Sequence, residues 1–275
     1  MTSLPAPVVS TQWLADYLGA DKLVVLDVSV VGYIRPNGTV GYRSGHESFI
    51  TNGHLPGAFF ADVIQDLSDP AGASPFTRPG AERFANAIGA LGIDNETTVV
   101  VYDSAAGQWA ARVWWLFRTF GYDKVAVLDG GLTTWNLEER ATEVGPHDSP
   151  IASFSTFERP DLWVDKEFVD GVLRGEIDAA LVCAVPAAKP PGSVSIPAAS
   201  LVDDATHAFA SKAELRKRLA PALGQPRIVV YGGGGIAAAA DALALTVIGE
   251  TSLAIYDDAL SEWAADAEEQ LLTTG

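Results

Sequence analysis

The chain repeats its own outline, and that repeat constrains the fold more than any single motif does. Tyr102 recurs as Tyr231, Asp129 as Asp257 and Trp135 as Trp263, at separations of 129, 128 and 128 positions. A nearly constant offset carried across several elements is the mark of a duplicated unit. Upstream the offset grows to 135 between Gly57 and Gly192 and to 156 between Leu26 and Val182. The first copy therefore carries extra residues ahead of Gly57, and a glycine-rich polar insertion over 32–53 accounts for most of them. At 275 residues the chain has the length of two domains of roughly 100–200 residues each. The expected division is an N-terminal domain over 1–145, a proline- and serine-containing linker over 146–155, and a C-terminal domain over 156–275.

Within each copy apolar strands alternate with helices, which predicts an α/β fold with parallel sheets flanked by helices. In the first copy Ser10 caps a helix carrying Trp13, Leu14 and Tyr17. The continuous apolar strand 23–28 follows, of the kind buried on both faces. A helix around 82–91, a strand over 98–102, a helix over 108–120, a strand over 124–128 and a short helix through Trp135 complete the set. The second copy answers with strands at 179–183, 227–231 and 252–256 and helices at 212–219 and 236–245.

Charge narrows the partners. A net charge of -17 repels polyanions and argues against nucleic acid or an anionic membrane surface as a partner. The stretch from Met1 to Pro7 has no basic segment leading into an apolar run, so no secretory signal is expected. No apolar stretch is long enough to span a membrane; the alanine-rich run 236–245 comes nearest, but it is short and carries Asp241. Cys183, the single cysteine, cannot form an internal disulfide and offers no metal cluster. His46, His54, His147 and His207 are too scattered along the sequence to propose a metal set. Neither metal nor cofactor is expected, and a reducing, cytoplasmic setting fits best.

Four stretches of the first copy carry a family likeness: Gly53-His54-Leu55-Pro56-Gly57-Ala58, the strand running into Asp103, Arg112-Val113-Trp114-Trp115, and Leu128-Asp129-Gly130-Gly131 ending at Trp135. In this order and spacing they resemble the tandem-domain rhodaneses, the thiosulfate and 3-mercaptopyruvate sulfurtransferases, over nearly the whole chain. The resemblance implies two tandem rhodanese-like domains, a non-catalytic first one with Asp103 at its cysteine position, a catalytic second one, and an active site in the crevice between them. In the family's second domain a strand ends in a Tyr/Cys pair, and the loop amides and helix start behind it stabilise first a thiolate and then a persulfide. The corresponding segment here is Tyr231-Gly232-Gly233-Gly234-Gly235-Ile236-Ala237. The resemblance thus puts Gly232 where the nucleophile belongs, and Gly233, Gly234, Gly235, Ile236 and Ala237 where substrate is held.

Further departures accompany this one. The family's Asp-x-Arg, whose arginine binds the anionic donor, is Cys183-Ala184-Val185 here. Its Gly-His-Ile-Pro/Arg-Gly-Ala is Ala188-Lys189-Pro190-Pro191-Gly192-Ser193, and its Tyr-Asp-Gly-Ser-Trp is Tyr256-Asp257-Asp258-Ala259-Leu260. The joint loss of nucleophile and arginine favours a binding, regulatory or diverged member that cannot run the persulfide mechanism.

The alternative is an enzyme at the same crevice. It would be either a sulfurtransferase using Cys183, at the carboxyl end of a parallel strand where open α/β sheets place ligands, or a different reaction with the loop amides as an oxyanion site and Asp103 or His54 as acid–base groups. Against these stand plainer roles: Cys183 as a small buried hydrophobe, and the glycine loop as a relic turn. Arg112 and Arg118 are candidates to lend positive charge to the crevice, with a surface or interface salt bridge the preferred role. Trp114 and Trp115 are expected to pack. The expected ligand is a small anionic or sulfur-containing molecule between the domains, with a protein partner as the other candidate.

Overall fold

The computed structural model describes residues 3–72, 75–147, 149–186 and 189–257. The first half contains β1 (Val8–Val9), α1 (Thr11–Tyr17), β2 (Leu23–Asp27), β3 (Val30–Ile34), β4 (Val40–Ser44), α2 (His46–Asn52), β5 (Phe59–Phe60), α3 (Ala81–Ala90), β6 (Thr98–Tyr102), α4 (Gln108–Thr119), β7 (Val125–Leu128) and α5 (Gly131–Leu137). The second contains α6 (Lys166–Leu173), β8 (Ala180–Cys183), β9 (Val194–Ser195), α7 (Lys212–Leu219), β10 (Ile228–Tyr231), α8 (Ile236–Ile248) and β11 (Leu253–Tyr256).

Two parallel sheets result, ordered β1-β7-β6-β2-β5 and β11-β10-β8-β9. Trp163 bridges in parallel to Ile255 on the outer side of β11, the place that β1 takes beside β7, so the two sheets share one strand order. The register carries the duplication down to single residues. Tyr102 lies beside Asp27, and Asp27 beside Phe60; Tyr231 lies beside Cys183, and Cys183 beside Ser195. Trp263, Ala188 and the segment 258–260, used above as landmarks, fall outside the described residues.

The insertion 32–53 has more order than its glycines and polar residues predict. β3 and β4 form an antiparallel hairpin from Val30↔Ser44 to Ile34↔Val40, closed through Asn37 and Gly38, with Gly38 at φ +81°. An Asn-Gly pair between alternating strands is a strong hairpin signal. Cross-strand pairing puts Gly32, Ile34, Val40 and Tyr42 on one face. Ile34 and Val40 are largely exposed.

α4 and α8 pack against each other between the sheets. Both are buried along most of their length, and one apolar core runs from Val99 and Val101 of β6 through Trp114 and Ala238 to Val230 of β10. A helix that is apolar on all sides has to be buried on all sides, which is the fate of the alanine-rich α8. The linker lies on the first half: Phe154 inserts among Phe84, Phe117 and Tyr122, and the Ala152 amide donates to Gly89 O. Among the described residues no helix is long and apolar enough to cross a membrane.

Candidate functional site

β10 ends at Tyr231, and residues 232–235 turn the chain into α8 with φ of +111°, +65°, +59° and +74°. Four consecutive left-handed residues are accessible at low cost only to glycine. Close approach adds a second reason at Gly235, where a Cβ would fall 1.9 Å from Asp257 Oδ1 and 2.4 Å from an Arg112 nitrogen. At Gly232 a Cβ would meet Val185 Cγ2 at 3.0 Å, and at Gly234 it would point toward Phe76 at 3.7 Å. The loop is thus held by its neighbours while presenting only backbone.

The corresponding loop of the first half is filled from within. Asp103 follows Tyr102 as Gly232 follows Tyr231. Its fully buried carboxylate accepts from the amides of Ala105 at 2.8 Å, Gly107 at 3.0 Å and Ala110 at 2.9 Å, at the start of α4. Burial pushes the Asp103 carboxyl upward, and these amides pull it part of the way back. Asp103 closes its own loop and does not face the crevice.

Cys183 is fully buried at the end of β8, its thiol donating to Val185 O at 3.4 Å. It occupies in the second sheet the position of Asp27 in the first. Beside it the Tyr231 hydroxyl is pushed up to about 12, chiefly by burial. Arg112 is spent on the junction of the halves: its guanidinium grips Asp257 with two bonds of 2.8 Å and donates to Phe76 O at 2.7 Å, and it stacks over Trp163. Arg118 covers the rings of Trp114 and Trp115. His54 lies away from the loop, against the carbonyls of Leu55 and Gly145.

Above the glycine loop, between the halves, is a cavity of about 460 Å³. Gly233, Gly234, Ile236, Ala237 and Val185 form one side. Opposite them stand Tyr42, Phe76 and Trp109, three rings in mutual edge-to-face contact at 4.9 to 5.5 Å. Gly232, Gly235, Arg112 and Cys183 are not among the lining residues. The aromatic wall is assembled from residues far apart in sequence. Its one sequence signal was Tyr42, placed by alternation on the hairpin face that also carries Ile34 and Val40.

Doubled parallel sheets of one strand order, each with a loop and helix behind a tyrosine-ended strand, define a tandem rhodanese-type fold. Residues 10–138 match the Rhodanese-like domain family. The chain is 33% identical to thiosulfate/3-mercaptopyruvate sulfurtransferase 2 of Arabidopsis thaliana, over 94% of this chain and 84% of that protein. It is 30% identical to human 3-mercaptopyruvate sulfurtransferase, over 93% and 91%. The crystal structure of the Escherichia coli 3-mercaptopyruvate sulfotransferase superposes with a TM-score of 0.80 at 27% identity, covering 92% of this chain and 98% of that one. The chain therefore belongs to the rhodanese family of tandem-domain sulfurtransferases. The anaerobic ergothioneine biosynthesis enzyme of Chlorobium limicola, solved with its natural substrate trimethyl histidine, shares the fold at a TM-score of 0.75 and 21% identity.

Proposed function

We propose that this chain is a rhodanese-family protein that does not run the persulfide cycle and instead holds a small, uncharged, largely apolar molecule between its two domains. What carries the reading is the lining of the 460 Å³ crevice among the described residues: glycine backbone and Val185 on one side, aromatic rings on the other, Gln108 as a neutral polar side chain, and the nearby guanidinium of Arg112 held by Asp257 and Phe76. Gly232 takes the place of the nucleophile and Val185 that of the anion-binding arginine. A thiosulfate or mercaptopyruvate anion would lose its hydration there without gaining a cation, which is costly for a charge. This reading narrows the expected class, a small anionic or sulfur-containing molecule, to its neutral members, sulfur compounds included. The Chlorobium neighbour, with trimethyl histidine as substrate, is a precedent for a rhodanese fold acting on something other than a small sulfur anion. A reducing, cytoplasmic setting suits a chain whose lone thiol is sealed.

Two measurements test this. Cyanide-dependent thiocyanate formation from thiosulfate or 3-mercaptopyruvate should stay at background; turnover abolished by Cys183→Ser would sink the reading in favour of a displaced nucleophile. The neutral fluorophore N-phenyl-1-naphthylamine should bind saturably, and Ala237→Phe, which fills the cavity without adding charge, should weaken it at least roughly tenfold. Binding indifferent to that substitution would place the probe elsewhere.

A further inference from the structure

Away from the crevice, the sequence-distant residues His54, Glu143 and His147 converge. His54 and Glu143 exchange both backbone hydrogen bonds at 2.9 Å. This bridge lays the segment leaving the first half against the turn that carries His54, and it brings one ligand atom from each of the three side chains within 4.8 Å of the others. His147 Nε2 is 3.0 Å from Glu143 Oε2. His54 is fully buried, with Phe49 stacked on its ring at 3.8 Å, so its two nitrogens cannot turn elsewhere at low cost.

Those nitrogens present a problem of hydrogen-bond accounting. Nδ1 is 2.9 Å from Leu55 O and Nε2 is 3.0 Å from Gly145 O, and both partners are acceptors only. A neutral imidazole has a single N–H. If Nδ1 donates to Leu55, the Nε2 lone pair faces the lone pairs of Gly145 O, a repulsion that a cation beside both atoms would relieve; the other tautomer moves the same conflict to Nδ1. Beside Nε2 lie the carboxylate of Glu143 and the imidazole of His147. The Gly57 amide donates to Glu143 Oε2 at 2.9 Å.

We propose that His54 Nε2, Glu143, His147 Nε2 and the carbonyl of Gly145 form a binding site for a divalent transition-metal ion of the zinc type. Two imidazoles and a carboxylate are a zinc-type donor set and a poor one for magnesium or calcium, which prefer oxygen throughout. Ligands at about 2.0–2.1 Å around a tetrahedral ion stand about 3.3 Å apart, close to the two 3.0 Å separations already present. The outer contacts are those a metal-bound site requires: with Nε2 on the ion, Nδ1–H would donate to the Leu55 carbonyl, and the Gly57 amide orients the carboxylate. A bound ion would pin the start of the linker to the first half. It is independent of whatever the crevice holds.

The test uses the full chain without a histidine tag, stripped with chelator. Calorimetric titration with Zn²⁺ should show one ion bound per chain, and Co²⁺ should give the visible absorption of a four-coordinate ion. His147→Ala and Glu143→Gln, both at solvent-exposed positions, should each weaken Zn²⁺ binding roughly tenfold or more and remove the rise in melting temperature that Zn²⁺ gives the unaltered chain. If His147→Ala does not fold, Glu143→Gln carries the comparison alone. Absence of saturable binding, or binding unchanged by the substitutions, overturns the site.

Discussion

A side chain at position 232 would begin 3.0 Å from Val185 on a backbone with φ of +111°, so introducing a cysteine there is not a neutral change. Gly232→Cys should lower stability by about 1–3 kcal/mol, read from the denaturant midpoint, and should yield at most weak thiocyanate formation. Adding Val185→Arg relieves the contact with the valine branch and supplies a cation. A charge-assisted contact of about 1.5–3 kcal/mol should raise the rate roughly tenfold to more than a hundredfold over the single variant. A single variant that already turns over like an ordinary sulfurtransferase would show that Val185 does not mark a lost anion clamp. At the matching position of the first half, Asp103→Asn keeps one acceptor and turns an NH₂ toward amides that also donate, which should cost about 1–3 kcal/mol. A midpoint unchanged by that substitution would mean that the carboxylate does not hold its loop.

Besides the packing of α4 on α8, the halves are joined by Arg112 of α4 and Asp257, the residue after β11. A bidentate guanidinium–carboxylate pair that is almost wholly buried on the arginine side is costly to break from one end, because the partner charge stays behind. Arg112→Met should destabilise by about 3–5 kcal/mol. Arg112→Lys should recover only part of this, since an ammonium cannot reproduce the planar two-bond contact. Equal stabilities for the lysine and arginine chains would refute the bidentate account. The hairpin of β3 and β4 is the other element with a consequence for the site, because it alone delivers Tyr42 to the aromatic wall.

For the molecule as a whole, the deepest liability is Asp241. It is fully buried in the middle of α8, where two sheets and two helices share one core, and neither carboxylate oxygen has a hydrogen-bond partner among the described residues. Burial pushes its carboxyl well above the ordinary 3.8, so the folded chain holds that proton more tightly than the unfolded one does. The stability it contributes is full below about pH 4 and is lost as pH rises toward the folded value, at about 1.4 kcal/mol per pH unit. Asp241→Asn has no proton to lose. Its stability relative to the unaltered chain should therefore grow steadily from pH 4 toward neutrality; a difference flat in pH would mean that Asp241 does not titrate in this way.

The sequence by itself determined the duplication, the α/β class and the family, because these rest on strand hydrophobicity, on the loop and turn residues between elements, and on offsets that survive divergence. It also placed the glycine loop behind Tyr231, since four adjacent glycines have few backbone explanations. Other features depended on which distant residues meet. His54 and His147 are distant in sequence and meet only through the backbone bridge at Glu143, and Phe76 and Trp109 form a wall only with Tyr42 brought across by the hairpin. The fates of Arg112 and Asp103 were settled in the same way, one by a carboxylate 145 positions away and the other by amides of its own loop. Local pattern fixes an element because its forces act between chain neighbours; a site depends on long-range packing, which closes some groups off and leaves others facing one another.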